Sequence, residues 1–179
     1  MAYRWSGRKR WDSLAVHEHR ETSPQKITFG IVTVSDSRHA ETDSSGDVIE
    51  RLVRGEGHAV AARSIVKDEP PQILNALKES IEKGSDAIVF TGGTGITSRD
   101  VTYETLRPLM GKVLDGFGEV FRYLSYKEIG TAAVMSRAIA GVISRKIVFC
   151  LPGSPEAARL ATERIILPEI RHIVREVNR

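Results

Sequence analysis

Asp86-Ala87-Ile88-Val89-Phe90, followed at once by Thr91-Gly92-Gly93-Thr94-Gly95, decides how this chain folds. The short apolar run reads as a buried strand, and the glycines as the turn that ends it. Three glycines let a backbone approach an anion closely, and Thr91 and Thr94 add hydroxyl donors. Ile96 to Thr102 separate this loop from the helix-like Tyr103-Glu104-Thr105-Leu106, whose start would add free N–H groups and a positive dipole end. An open α/β sheet places its ligand beyond the carboxyl end of such a strand. A plain tight turn is the competing reading of the loop taken alone.

Working outward, strands and helices alternate from Lys26 onward. Ile27 to Val34 reads as a strand, and Val48, Ile49, Leu52 and Val53 as one helical stripe stopped by Gly55 or Gly57. Ala59 to Val66 is a weaker strand. Pro70-Pro71 opens a helix with Ile73, Leu74, Leu77 and Ile81 on its apolar face, ended by Gly84. Helices follow around Tyr103–Met110 and Gly116–Glu128, and Ile147 to Leu151 is the last clear strand. Ser154 then reads as an N-cap, with Pro155 and Glu156 in the first turn, and Pro168 kinks or restarts the terminal helix. Continuously apolar strands between amphipathic helices imply α/β architecture: three layers, a mostly parallel sheet with helices on both faces.

Residues 1–25 stand apart as a polar arm, and residues 26–179 form the α/β domain. The arm carries Trp5 and Trp11 as candidate anchors on its own domain or on a second subunit. His17-Glu18-His19 lacks further ligands and reads as surface rather than as a metal site. The chain has 179 residues, 41% hydrophobic and 27% charged, which suits one soluble domain. No apolar run approaches the ~20 residues of a membrane span. The basic Arg4, Arg8, Lys9 and Arg10 precede no apolar core, so no signal peptide is expected. The lone Cys150, inside an apolar run, predicts a buried thiol and a cytoplasmic location. The net charge of +3 is interspersed, and no basic stripe with aromatics follows residue 25. Nucleic-acid binding is therefore not expected, and anionic small molecules are favoured.

Polar residues collect after each predicted strand: Ser35-Asp36-Ser37 with Asp43-Ser44-Ser45-Gly46, then Lys67-Asp68-Glu69, the glycine loop with Ser98 to Thr102, and Pro152-Gly153-Ser154. In a parallel sheet these ends share one edge, so distant segments converge there. Each has a plainer reading: Ser44 or Ser45 as a helix cap, Asp68 as a turn residue, Asp100 and Thr102 as a helix start. The loop is neither the Gly-x-x-x-x-Gly-Lys-Ser/Thr of a phosphate-binding ATPase loop nor the Gly-x-Gly-x-x-Gly of a dinucleotide fold. No serine nucleophile elbow is present.

Taken in order, Thr91 to Gly95, Arg99-Asp100-Val101-Thr102, Gly116-Phe117-Gly118-Glu119, Ser136-Arg137 and Leu151-Pro152-Gly153-Ser154-Pro155 resemble the molybdopterin-binding family of the MoaB and MogA proteins, over most of the chain from about Lys26. Gly118 to Arg122, Glu128 to Thr131 and Ser136 to Gly141 resemble the MoaB branch most closely. The resemblance implies Mg²⁺- and ATP-dependent adenylylation of molybdopterin in molybdenum cofactor biosynthesis. It implies Asp68 and Asp100 as catalytic residues and, on charge grounds, as Mg²⁺ ligands. Asp36, Ser44, Ser45, Gly46, Thr91, Gly92, Gly93, Thr94, Gly95, Glu119, Ser136, Arg137, Pro152, Gly153 and Ser154 are the implied substrate contacts. Glu119 and Arg137 read equally well as a helix-surface residue and a salt-bridge partner. A non-catalytic pterin-binding or scaffold protein is the alternative from another class. The resemblance also implies a homo-oligomer, a trimer or a hexamer joined by the arm, and allows other molybdenum cofactor enzymes as partners.

Overall fold

A computed structural model describes residues 24–179; nearly all of the expected arm, with Trp5, Trp11 and His17-Glu18-His19, lies outside the described residues. The apolar runs form the middle of a six-stranded sheet in the order β2-β1-β3-β6-β5-β4. Here β1 is Thr28–Val34, β2 Ala59–Val66, β3 Ala87–Thr91, β4 Lys112–Val113, β5 Ile139–Ile143 and β6 Lys146–Leu151. Strands β2, β1, β3 and β6 run parallel, with Val32 beside Phe90 and Phe90 beside Cys150. Strands β5 and β4 close that side antiparallel.

The strands are apolar throughout because both faces are covered. Along β3 and β6, Ala87, Val89, Ile147, Phe149 and Leu151 face one layer. Helices α1 (Ser44–Gly55), α4 (Asp115–Ile129), α5 (Pro155–Ala161) and α6 (Leu167–Asn178) bring Ile49, Val53, Phe121, Ala158, Ile170 and Val174 to it. The alternate residues Ile88, Phe90, Val148 and Cys150 face Ile73, Ala76 and Leu77 of α2 (Pro70–Glu82) and Leu106 of α3 (Thr102–Leu106). Cys150 is fully buried, which pushes its thiol well above the ordinary range. No helix among the described residues is long and apolar enough to cross a membrane.

The structure adjusts several local expectations. Asp43, not Ser44 or Ser45, caps α1, accepting the Gly46 N–H at 3.0 Å. The helix expected over Tyr103–Met110 is α3 followed by a 3₁₀ turn at Arg107–Leu109, since Pro108 lacks the N–H a continuing helix needs. The terminal helix loosens into a π turn at Thr162–Ile166 and restarts as α6, with Pro168 in its first turn. Ser154 caps α5 as expected, accepting the Ala157 N–H at 3.1 Å. Strands β4 and β5 are additions to the four strands read from the sequence. The β5–β6 hairpin turns on Ser144 and Arg145, both with positive φ (48° and 60°), without the Asn-Gly pair that signals such a turn.

Candidate functional site

The carboxyl ends of β1, β2, β3 and β6 lie on one edge of the sheet, and a cleft of about 600 Å³ opens there. Its walls are Val34, Ser35, Ser37 and Arg38 after β1, Asp68 after β2, Thr91 to Gly95 and Asp100 after β3, and Pro152 to Pro155 after β6, with Met135 at one side. A larger hollow of about 800 Å³, lined by Leu114, Val142, Ile173 and Val177 among others, gathers none of the predicted residues.

Backbone geometry holds the glycine loop against its neighbours. Gly92 and Gly93 have φ of +101° and +61°, and the Gly92 N–H donates to Leu151 O at 3.0 Å. The buried Thr91 hydroxyl donates to Pro152 O at 3.0 Å, tying the end of β3 to the end of β6. Gly153 sits so close that its own Cβ would stand 3.1 Å from Gly92 Cα. A Cβ on Gly93 would overlap Asp68 Oδ1 and Thr102 Oγ1, and one on Gly95 would meet Asp100 Oδ2 at 2.6 Å. The glycines thus let both carboxylates close on the loop.

Those carboxylates differ electrically. Burial, then the charges of Asp36 and Asp100, push Asp68 above the ordinary carboxylate range, against a smaller pull from Arg99. Partial burial works against ionisation of Asp100 as well. There the Thr97 hydroxyl and N–H, the Gly95 N–H and the Arg137 charge outweigh it and hold the carboxyl below its usual range. Thr97 donates through both groups to Asp100 Oδ2, at 2.6 and 2.9 Å. Asp68 Oδ1 and Thr102 Oγ1 are buried without any hydrogen-bond partner. Orphaned oxygen donors beside a second carboxylate are hard-cation chemistry, so Asp68 and Asp100 fit Mg²⁺. No cluster of three or more His, Cys, Asp or Glu side chains able to hold a metal occurs among the described residues. This donor set would leave the remaining positions of such an ion to phosphate oxygens and water.

The other predicted residues divide into cleft walls and supports. Asp36 lies outside the cleft wall, paired with Arg99 at 2.7 Å and accepting the Asp68 N–H at 3.3 Å; the Arg99 hydrogen bond leads in lowering its carboxyl. Ser45 and Gly46 are buried around the Asp43 cap, and Ser44 is exposed beside them. Arg137 stands behind the loop, donating to Gly95 O at 2.8 Å, paired with Glu104 and stacked 4.4 Å from the centre of the Tyr103 ring. Ser136 ends the turn before it, and Glu119 is exposed on α4; neither lines the cleft. Arg38 and Met135 are cleft residues that sequence reasoning missed. A cation one residue past the Ser35-Asp36-Ser37 strand end was the available signal for Arg38.

The fold has close counterparts. The molybdenum cofactor biosynthesis protein B of Halalkalibacterium halodurans is 48% identical over 166 residues, 92% of this chain and 98% of that one. A crystal structure of a molybdenum cofactor biosynthesis protein B, 46% identical, superposes with a TM-score of 0.83 over 87% of this chain and 98% of its own. The tungsten cofactor synthesizing protein MoaB from Pyrococcus furiosus, 41% identical, gives 0.80 over 88% and 100%. Residues 30–172, which hold the glycine loop, both aspartates and the Ser154 cap, match the family model described as "Probable molybdopterin binding domain", and the chain belongs to that family.

Proposed function

We propose that this chain serves molybdenum cofactor biosynthesis by adenylylating molybdopterin with ATP and Mg²⁺. The observation that carries the reading is the convergence of Asp68, Asp100, the glycine loop and the Ser154-capped helix start on one cleft. The pterin ends in a phosphate monoester, already nucleophilic near neutral pH, so the chain need not supply a strong base. One oxygen of that phosphate attacks the α-phosphorus of ATP; a new P–O bond forms and the bond to pyrophosphate breaks. The electron pair leaves with pyrophosphate.

The obstacle is electrostatic. Two unit charges 4 Å apart repel by about 4 kcal/mol at an effective dielectric of 20. Backbone N–H groups of Gly93 and Thr94 and the α5 start are suited to hold phosphate oxygens. Asp68 and Asp100 would hold Mg²⁺, which neutralises phosphate charge when bound. The raised proton affinity of Asp68 without metal fits a carboxylate kept beside other negative groups for a cation.

Incubating the protein with molybdopterin, ATP and Mg²⁺ should release pyrophosphate and form the adenylylated pterin. Asp68→Asn and Asp100→Asn should each slow this sharply while leaving pterin binding largely intact. Undiminished turnover in both variants would remove the assignment. Tight pterin binding without product would instead make the protein a carrier of the intermediate.

We further propose a homo-oligomer in the cytoplasm, a trimer or a hexamer. Val120, Tyr123, Tyr126 and Ile129 of α4, and Val134 and Met135 beyond it, are large apolar or aromatic side chains left exposed, which supports self-association. Sedimentation of the full chain and of residues 26–179 should give the same trimer if the arm plays no part, and a hexamer only with the arm if it joins trimers. A monomer in both preparations would refute the oligomer.

A further inference from the structure

Among the residues that line the cleft, Arg38 is the one cation, in the company of two carboxylates, Asp68 and Asp100. Neighbouring guanidinium groups are already engaged. Arg99 is spent on Asp36, Arg137 on Gly95 O and Glu104, and Arg63 on Asp43, Asp47 and Glu50. Arg38 is held differently. Its backbone N–H donates to Ser35 Oγ at 3.2 Å and its Nη1 to Ser45 Oγ at 2.5 Å, a neutral hydroxyl. None of the ion pairs among the described residues includes it. A guanidinium has five N–H donors, so most of them remain for a ligand.

Ser45 cannot itself meet that ligand. It is fully buried, its hydroxyl accepts from Arg38, and it donates to Asp43 Oδ1 at 3.5 Å. Asp43 is fully buried too and is fixed by Thr33 Oγ1 at 2.9 Å, the Gly46 N–H and Arg63. A rigid, buried knot therefore reaches the cleft through one hydroxyl and aims one guanidinium.

We propose that Arg38 is the side chain that binds a phosphoryl oxygen of the substrate in this cleft, and that Ser45 is its positioning residue rather than a substrate contact. The proposal rests on reading the cleft as a phosphate site. Two phosphates meet there under that reading, the nucleotide's polyphosphate and the pterin's monoester, and the fork of a guanidinium suits either.

The test titrates the intact protein calorimetrically with pyrophosphate and, separately, with inorganic phosphate, both in EDTA. Arg38→Met should weaken binding of one probe by roughly 10- to 100-fold, the range of a charge-assisted hydrogen bond. Arg38→Lys should fall between it and the parent, because the charge stays and the fork is lost. A loss confined to pyrophosphate, with a raised KM for ATP alone, assigns Arg38 to the nucleotide; a loss confined to phosphate, with a raised KM for molybdopterin alone, assigns it to the pterin. Ser45→Ala should weaken the same probe several-fold, yet add nothing in an Arg38→Met background. Melting curves of each variant check that the fold is intact. Parent-like binding of both probes by Arg38→Met overturns the proposal, and fully additive losses overturn the role of Ser45. A parent protein that binds neither probe overturns the phosphate reading beneath both.

Discussion

Replacing Gly92 with alanine tests how the walls of the cleft are pressed together. Gly92 has φ +101°, where a residue with a side chain is strained by about 1–2 kcal/mol. The new Cβ would also land on the Val34 carbonyl oxygen, well inside the 3.0 Å below which real Cβ contacts do not occur, and 3.2 Å from its carbonyl carbon. Val34 ends β1, and the Gly92 N–H is tied to Leu151 at the end of β6, so neither partner yields alone. Overpacking of this kind costs about 1–3 kcal/mol. The sum, about 2–5 kcal/mol, corresponds to a fall of roughly 5–15 °C in melting temperature for a domain of this size. Gly84→Ala is the control: its φ is +80°, but no atom stands within 4 Å of its would-be Cβ. It carries the backbone strain alone. Thermal unfolding of the two variants, followed by circular dichroism, should show Gly92→Ala melting roughly 3–9 °C below Gly84→Ala. Equal melting temperatures would refute the claim that β1 and β3 meet through this glycine.

Two further substitutions test the charges around the cleft. Asp68→Asn should stabilise the metal-free protein in EDTA at neutral pH, because it removes the charge of a half-buried carboxylate set near Asp36 and Asp100 while keeping its shape. The Asp68 proton affinity is raised on folding, so its ionisation costs stability as pH rises through its native pKa. The advantage of the variant should therefore be full above that pKa and vanish below the unfolded value near 4; a constant advantage across an acid titration contradicts the cause assigned. Arg63→Met should cost about 2–3 kcal/mol in urea unfolding, since it strands the buried Asp43 carboxylate while Thr33 and Gly46 still donate to it. A loss under about 0.5 kcal/mol would mean that the two neutral donors suffice.

Much of the cleft is legible in the sequence because each strand hands its chemistry to the next few residues. Asp68 follows β2 and Gly92 follows β3 directly, and a parallel sheet aligns those ends without further information. What is illegible depends on partners far along the chain. Asp43, Ser44 and Ser45 are all competent caps, and it takes Thr33 and Arg63, one on each neighbouring strand, to select Asp43. Ser45 is then withdrawn from the ligand and given to Arg38. Arg137 is likewise drawn behind the loop by Gly95 O and Glu104, choices made only once α3 is packed. Strand β4 has two residues, too few for a periodic signal, and Gly141 interrupts the apolar pattern of β5.

The lone thiol offers a way to watch this site without adding a probe. Cys150 sits two residues before Pro152 on the strand that carries one wall of the cleft, beside Phe90 on the strand that carries another. Fully enclosed, it is out of reach of a thiol reagent until those two strands part. Its modification rate under native conditions thus clocks the opening of the sheet beneath the cleft. A ligand bound across both walls would slow that clock in proportion to its occupancy, whether or not any chemistry follows.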